Sequence, residues 1–251
     1  MDWTFFDKIY CINVNTNSQR YETVKKIFEK LNMNVEFLRV EPLKNGTKGC
    51  FESHIKVMKD AYKNKYKNII VFEDDIIPYD INQKRIDTVI NFIKNNVYDI
   101  FYLGICPDLF MNDSKIVDRK NKIYQVRPSS AYSYIVNENT INRLKDLKFN
   151  DIPIDTYYAN NFIKNYTIFP SLFYHGDMGS ISRIPTFLRI TSYTKSIQVY
   201  AYIFGVSFMK ILIFLFAIFL LSYIFNIKFL IIIIILLLLI IFQILYKNIL
   251  E

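Results

Sequence analysis

The segment Asn68-Ile-Ile-Val-Phe-Glu-Asp-Asp75 decides the fold, because a short apolar run ends directly in three carboxylates. An apolar run of this length, bounded by turn signals, predicts a strand that is buried on both faces, as in parallel sheets. In an open α/β sheet, ligands bind outside the carboxyl ends of the strands. The segment therefore predicts an α/β fold with functional carboxylates at one edge of the sheet.

Strand and helix patterns alternate on both sides of this segment. In chain order they predict a strand at 8–14, a helix at 20–31, a strand at 35–40, a helix at 53–62, the strand at 68–72, a helix at 87–94, a strand at 99–103, a strand at 131–136 and a helix at 139–147. Such alternation favours a layered α/β fold with right-handed crossovers.

The end of the chain differs sharply in composition from the rest. From Ser196 onward the charged residues are Lys210, Lys228, Lys247 and Glu251. The apolar run at 229–246 is close to the roughly 20 residues that cross a bilayer, and a second apolar stretch lies at 199–225. We predict a domain at 1–195 and a membrane anchor at 196–251, with C-terminal transmembrane helices. Either both stretches span as a hairpin or the first lies at the interface, and a buried core helix is the alternative for the second.

The predicted location follows from the two ends of the domain. Residues 1–7 lack the basic flank and apolar core of a signal peptide. Arg183, Arg189 and Lys195 precede the apolar tail, in agreement with the positive-inside preference. We therefore expect a membrane protein whose catalytic domain is cytosolic. The odd cysteine count, without paired metal spacing, argues against a disulfide framework or a structural zinc site.

Glu73, Asp74 and Asp75, called the acidic triplet below, are the strongest candidate for chemistry. Adjacent carboxylates repel one another, so their clustering indicates a neutralising cation. Oxygen ligands suit Mg²⁺ or Mn²⁺, and such an ion would bridge the carboxylates to a nucleotide diphosphate. The alternative is a solvated acidic turn before a helix that follows Pro78.

Short motifs in a fixed order extend the pattern over most of residues 8–182. They are Ile9-Tyr-Cys-Ile-Asn-Val14 followed by Arg20, Gly49-Cys50 with Ser53-His54, Ile70-Val-Phe-Glu-Asp-Asp75, Ala131-Tyr132, Pro153-Ile-Asp155, and Pro170-Ser-Leu172 with Ser180-Ile181. With these motifs the sequence resembles glycosyltransferase family 25, the lipopolysaccharide-type and collagen-type galactosyltransferases. The resemblance implies a GT-A type nucleotide-sugar-binding domain, with a Rossmann-like mixed sheet that has helices on both faces.

The resemblance also implies a set of site residues. The expected metal ligands are Glu73, Asp75 and His175, the expected contacts to the UDP-sugar are Asn13, Arg20, Ser53, His54 and Asp74, and the expected general base is Asp155. Several alternatives stay open. Cys50 and His54 could share a metal, Cys50 could be a nucleophile, and Ser53 and His54 could lie at a helix start and hydrogen-bond to the strand ends. His175 could be a surface histidine, and Asp155 could be a helix N-cap.

The expected activity is metal-dependent transfer of a hexose, galactose or glucose, from a UDP-sugar. The cofactor would be Mn²⁺ or Mg²⁺, and the acceptor a glycan, a lipid-linked molecule or a protein. The resemblance implies inversion at the anomeric carbon, and no nucleic-acid partner is expected. The alternatives are a catalytically silent binding module and a metal-dependent enzyme that hydrolyses sugar nucleotides or transfers nucleotidyl groups.

Overall fold

The fold was determined as a computed structural model, which describes residues 1–15, 18–105, 115–128, 130–175 and Phe216. The chain divides into two units, Met1–Val206 and Ser207–Glu251. All strands and helices given below belong to the first unit.

Strands and helices alternate through the described part of this unit. The strands are β1 (Lys8–Val14), β2 (Val35–Val40), β3 (Asn68–Glu73), β4 (Ile76–Pro78), β5 (Ile100–Tyr102), β6 (Lys115–Asp118), β7 (Ile123–Gln125), β8 (Ser133–Asn137), β9 (Asn165–Ile168) and β10 (Phe173–His175). The helices are α1 (Ser18–Lys30), α2 (Gly46–Lys63), α3 (Gln83–Asn95), α4 (Glu138–Leu144) and α5 (Ile154–Asn161).

Eight of these strands form one mixed sheet in the order β2-β1-β3-β8-β5-β9-β7-β6. Strands β2, β1 and β3 run parallel, whereas β8 lies antiparallel between β3 and β5. Strands β4 and β10 form a separate antiparallel pair. Because β1 and β3 are adjacent and parallel, their carboxyl ends meet at the same edge of the sheet.

Two hydrophobic cores cover the two faces of the sheet. Along β3, Ile70 and Phe72 pack on the face covered by α1 and α3, whereas Ile69 and Val71 pack on the face covered by α2, α4 and α5. All four side chains are fully buried. This alternation follows from the two-residue period of a strand. The central apolar run is therefore a strand that is covered by helices on both faces.

Asparagines fix the starts of three helices. Asn45 precedes α2, Asn82 precedes α3 and Asn137 precedes α4, and each side chain accepts a hydrogen bond from a backbone N–H in the first turn. Such caps satisfy donors that the helix itself leaves unpaired. The cap at Asn45 explains why α2 begins seven residues before the helix at 53–62 that apolar spacing predicts.

The predicted C-terminal transmembrane helices require a correction. Within the residues that the structure describes, no helix is long and apolar enough to cross a membrane. The fold class predicted from the sequence is therefore wrong in its membrane part, and the predicted membrane location is contradicted with it. The apolar stretches at 199–225 and 229–246 lie outside the described residues, apart from the helical residue Phe216.

Candidate functional site

The acidic triplet splits between the two faces of the sheet. Glu73, the last residue of β3, faces α2, where it contacts His54. Asp74 points to the opposite face, where it contacts Arg20 of α1. Asp75 follows in the turn before β4. The alternating directions of a strand thus give each carboxylate different neighbours.

Asp74 and Asp75 share a buried cation. The Nη1 atom of Arg20 lies 2.9 Å from Oδ1 of Asp74 and 3.2 Å from Oδ2 of Asp75. Asn13, at the end of β1, donates from Nδ2 to Oδ2 of Asp74 over 2.7 Å. Burial raises the pKa of Asp74, and the contacts with Asn13 and Arg20 oppose that rise. Much of the repulsion within the triplet is therefore balanced by the protein itself.

Asp75 also contacts a histidine that is distant in sequence. Strand β10 pairs with β4 so that His175 lies opposite Ile76, and its Nε2 is 3.2 Å from Oδ2 of Asp75. Burial lowers the pKa of His175, but the hydrogen bond to Asp75 and the charges of Asp75 and Glu73 outweigh it, so this pKa is raised. The predicted residues Asp75 and His175 thus lie in direct contact.

Glu73, Asp75 and His175 form a cluster that could hold a cation. One potential ligand atom from each residue lies within 4.8 Å of the others. Asp75 is 4% exposed, and within the described part of the chain its second oxygen, Oδ1, is buried without a hydrogen-bond partner. The Oδ1 atom of Asn13 is also buried, with no partner among the residues that the structure describes. A buried oxygen of this kind is costly unless a donor or a cation satisfies it.

His54 lies in a buried polar chain that begins at Glu73. Its Nε2 is 3.2 Å from Oε1 of Glu73, and its Nδ1 is 2.7 Å from the hydroxyl of Tyr134. The hydroxyl of Tyr134 lies 3.1 Å from that of Tyr158. The sequence analysis missed both tyrosines, because tyrosine within an apolar strand or helix pattern indicates a core position. Neither residue carries a local signal of its polar contact.

Asp155 lies in the first turn of α5, but it does not cap the helix. Pro153 occupies the N-cap position, and Oδ1 of Asp155 accepts a hydrogen bond of 2.6 Å from the N–H of Thr156. Desolvation and the charge of Glu73 raise the pKa of Asp155. The N-cap interpretation of Asp155 is therefore not met, and its carboxylate lies within electrostatic reach of Glu73.

Ser53 makes a hydrogen bond within its own helix. Its hydroxyl donates to the carbonyl of Gly49 over 2.7 Å, one turn earlier in α2. The alternative interpretation, a hydrogen bond from Ser53 to the strand ends, is therefore not met by this contact. His54 is the neighbouring residue that reaches the acidic triplet.

The fold and the site together define a mixed α/β protein with carboxylates, an arginine and a histidine gathered at one edge of its sheet. The family model described as glycosyltransferase family 25 (LPS biosynthesis protein) matches residues 38–158. This match confirms the resemblance to glycosyltransferase family 25 that the motifs predict. The family indicates transfer of a glycosyl group and a nucleotide-sugar donor as the general activity.

Three solved structures are similar to this chain at low identity. A197 from STIV is 12% identical with a TM-score of 0.41, covering 66% of this chain and 83% of that chain. A glycosyltransferase involved in the glycosylation of the major capsid of PBCV-1 is 12% identical with a TM-score of 0.45, covering 69% and 96%. The nucleoside-diphosphate-sugar pyrophosphorylase from Vibrio cholerae RC9 is 10% identical with a TM-score of 0.34, covering 68% and 77%. No curated protein sequence matches the chain.

Proposed function

We propose that this protein transfers a hexose from a UDP-sugar to a hydroxyl group of an acceptor, with a divalent cation held by Glu73, Asp75 and His175. The observation that carries the proposal is that one potential ligand atom from each of these residues lies within 4.8 Å of the others, and that Oδ1 of Asp75 is buried with no hydrogen-bond partner among the described residues. A cation at this point would satisfy the oxygen and offset the charges of the two carboxylates.

The donor atoms fit Mn²⁺ or Mg²⁺. Two carboxylates and an imidazole nitrogen provide the oxygen and nitrogen ligands that Mn²⁺ accepts, and Mg²⁺ is commonly bound by one or two carboxylates together with substrate phosphates. When bound, such an ion acts as a Lewis acid toward the diphosphate leaving group. The same edge of the sheet is where α/β folds bind ligands.

The residues around the cluster have supporting roles in this proposal. Asn13 would contact the nucleotide through its Oδ1. The ion pair of Arg20 and Asp74 would lie between α1 and the diphosphate. His54 would lie beside the carboxylate of Glu73, with its Nε2 3.2 Å from Oε1. Ser53 would line the donor pocket with its hydroxyl bonded to the Gly49 carbonyl within α2.

Asp155 would remove the proton from the acceptor hydroxyl. Desolvation and the charge of Glu73 raise the pKa of its carboxylate, which brings it closer to neutral pH. A general base works best when its pKa lies near the working pH, because it is then both deprotonated and basic enough. The proposed acceptor is a hydroxyl of a glycan, a protein or a lipid-linked sugar.

Calorimetry of UDP binding tests the metal requirement. The protein is titrated with UDP in Mn²⁺, in Mg²⁺ and in excess chelator, and tight binding is expected only with metal. Asp75→Asn should remove the metal-dependent part of UDP binding. Asp146→Asn is the control and should leave UDP binding unchanged, because the Asp146 side chain is 83% exposed. Equal UDP affinity with metal and with chelator contradicts the proposal.

A donor screen tests the choice of sugar nucleotide. UDP-galactose and UDP-glucose are expected to raise the thermal unfolding midpoint more than GDP-mannose or a CMP-sugar does, because the chain resembles family 25. Incubation with the UDP-sugar and water alone then separates a transferase from a hydrolase. Equal protection by GDP-mannose and UDP-galactose contradicts the donor assignment but leaves the family assignment intact.

A further inference from the structure

A second group of potential ligands lies on the α2 side of Glu73. Cys50 and His54 are one turn apart on α2, so their side chains lie on the same face of the helix. Oε1 of Glu73 lies 3.2 Å from Nε2 of His54 and 3.8 Å from Sγ of Cys50. One ligand atom from each of the three residues lies within 4.8 Å of the others.

We propose that Cys50, His54 and Glu73 form a second metal site, which shares Glu73 with the cluster of Asp75 and His175 and binds Zn²⁺ or another thiophilic divalent ion. Tetrahedral zinc with ordinary bond lengths separates a nitrogen from an oxygen ligand by about 3.4 Å and a sulfur from an oxygen ligand by about 3.6 Å. The observed separations of 3.2 and 3.8 Å are close to these values.

The contacts behind His54 support this assignment independently. A histidine that binds a metal through one ring nitrogen usually hydrogen-bonds through the other, which fixes the tautomer and the ring orientation. His54 is fully buried, and its Nδ1 is held by Tyr134, which in turn contacts Tyr158. Nε2 is therefore the nitrogen that is turned toward Glu73 and Cys50.

Ligand softness separates the two sites. The cluster of Glu73, Asp75 and His175 contains no sulfur, whereas Cys50 provides a thiol that favours zinc over magnesium. Cys50 is exposed, so an ion can enter from solvent and keep a water as its fourth ligand. The site shares Glu73 with the cluster of the proposed function but needs neither a sugar donor nor an acceptor, so metal binding at Cys50 can be tested separately from sugar transfer.

Cobalt absorption spectroscopy on the full chain tests the site. Co²⁺ is the probe, because a cobalt–thiolate bond gives an intense near-ultraviolet band. We expect this band at one equivalent of Co²⁺ per chain, with displacement by Zn²⁺. Cys50→Ser should abolish the band, while the matched thiol control Cys106→Ser should retain it. The proposal is overturned if the unchanged chain shows no band. It is also overturned if Cys50→Ser retains the band or if Cys106→Ser loses it.

Two further variants test how the site is built. Asp75→Asn should keep the cobalt–thiolate band, because Asp75 belongs to the other cluster; loss of the band in this variant overturns the distinction between two sites. Tyr134→Phe should weaken Co²⁺ binding by about 10- to 100-fold, the usual effect of removing a partner of a ligating histidine. Unchanged affinity in folded Tyr134→Phe contradicts the assigned role of Nε2. A calorimetric failure of metal-dependent UDP binding leaves all these readouts unaffected.

Discussion

Replacing Arg20 by methionine tests whether this arginine holds the acidic triplet together. The side chains of Arg20, Asp74 and Asp75 are 8%, 6% and 5% exposed, with N–O separations of 2.9 and 3.2 Å. At an effective dielectric constant near 20, each contact corresponds to about 5 kcal/mol of Coulomb attraction before desolvation is subtracted. Removing one partner of a buried pair typically costs about 3–5 kcal/mol, because a buried charge is left uncompensated. We expect Arg20→Met to lower the free energy of unfolding by this amount.

The assay is chemical and thermal unfolding of the metal-free protein followed by circular dichroism. For a domain of this size, the expected loss corresponds to a fall in the unfolding midpoint of about 6–20 °C. Lys48→Met is the control, because Lys48 forms a pair with Glu52 in which both side chains are about half exposed. Exposed pairs within a helix contribute about 0.3–0.5 kcal/mol, so the control should barely change stability.

The double variant Arg20→Met with Asp74→Asn completes the test. Removing the facing charge should recover part of the lost stability, with a coupling energy of about 1–3 kcal/mol between the two positions. If Arg20→Met unfolds like the unchanged chain but binds UDP poorly, Arg20 is a nucleotide ligand. Its role in stabilising the acidic triplet is then refuted. A coupling energy near zero refutes it as well.

Three further predictions concern catalysis, packing and the domain boundary. Asp155→Asn should abolish sugar transfer but leave calorimetric UDP binding unchanged; full activity in a product assay contradicts a general-base role. Gly104→Ala should lower the free energy of unfolding in urea by about 1–3 kcal/mol or more. The added Cβ would lie 2.6 Å from the ring of Tyr132 and still closer to the carbonyl oxygen of Phe173. Deleting the chain after Lys195 should leave a domain that unfolds cooperatively, because the two described cores end at Phe173; an unfolded fragment contradicts the predicted boundary.

Long, strongly patterned elements were the most accurately predicted from sequence. The predicted strands at 8–14 and 35–40 match β1 and β2, and the strand at 68–72 ends one residue before β3 does. Strands β4, β5, β7 and β10 have three residues each, and β6 and β9 have four. Of these six, sequence patterns predicted β5. Elements this short carry too little periodicity, and their pairing depends on partners that are distant in the chain.

The candidate site shows the same division between local and distant information. The acidic triplet is visible in the sequence because it follows an apolar run. His175 joins it through the pairing of β10 with β4, and about a hundred residues separate the two in the chain. The polar contacts of Tyr134 and Tyr158 have no local signal, because the packing of α2 and α5 on the sheet creates them.

The site extends beyond the part of the chain that carries the family match. Residues 38–158 include the acidic triplet and Asp155, but Asn13, Arg20 and His175 lie outside this range. All three nevertheless contact the triplet, because β1 runs parallel to β3 and β10 pairs with β4, which follows the triplet. Adjacent carboxylates are tolerated here because the strand turns Glu73 toward a histidine and Asp74 toward an arginine, while Asp75 contacts both that arginine and a second histidine. A substitution in any of these flanking partners should therefore act on the triplet as strongly as one within it.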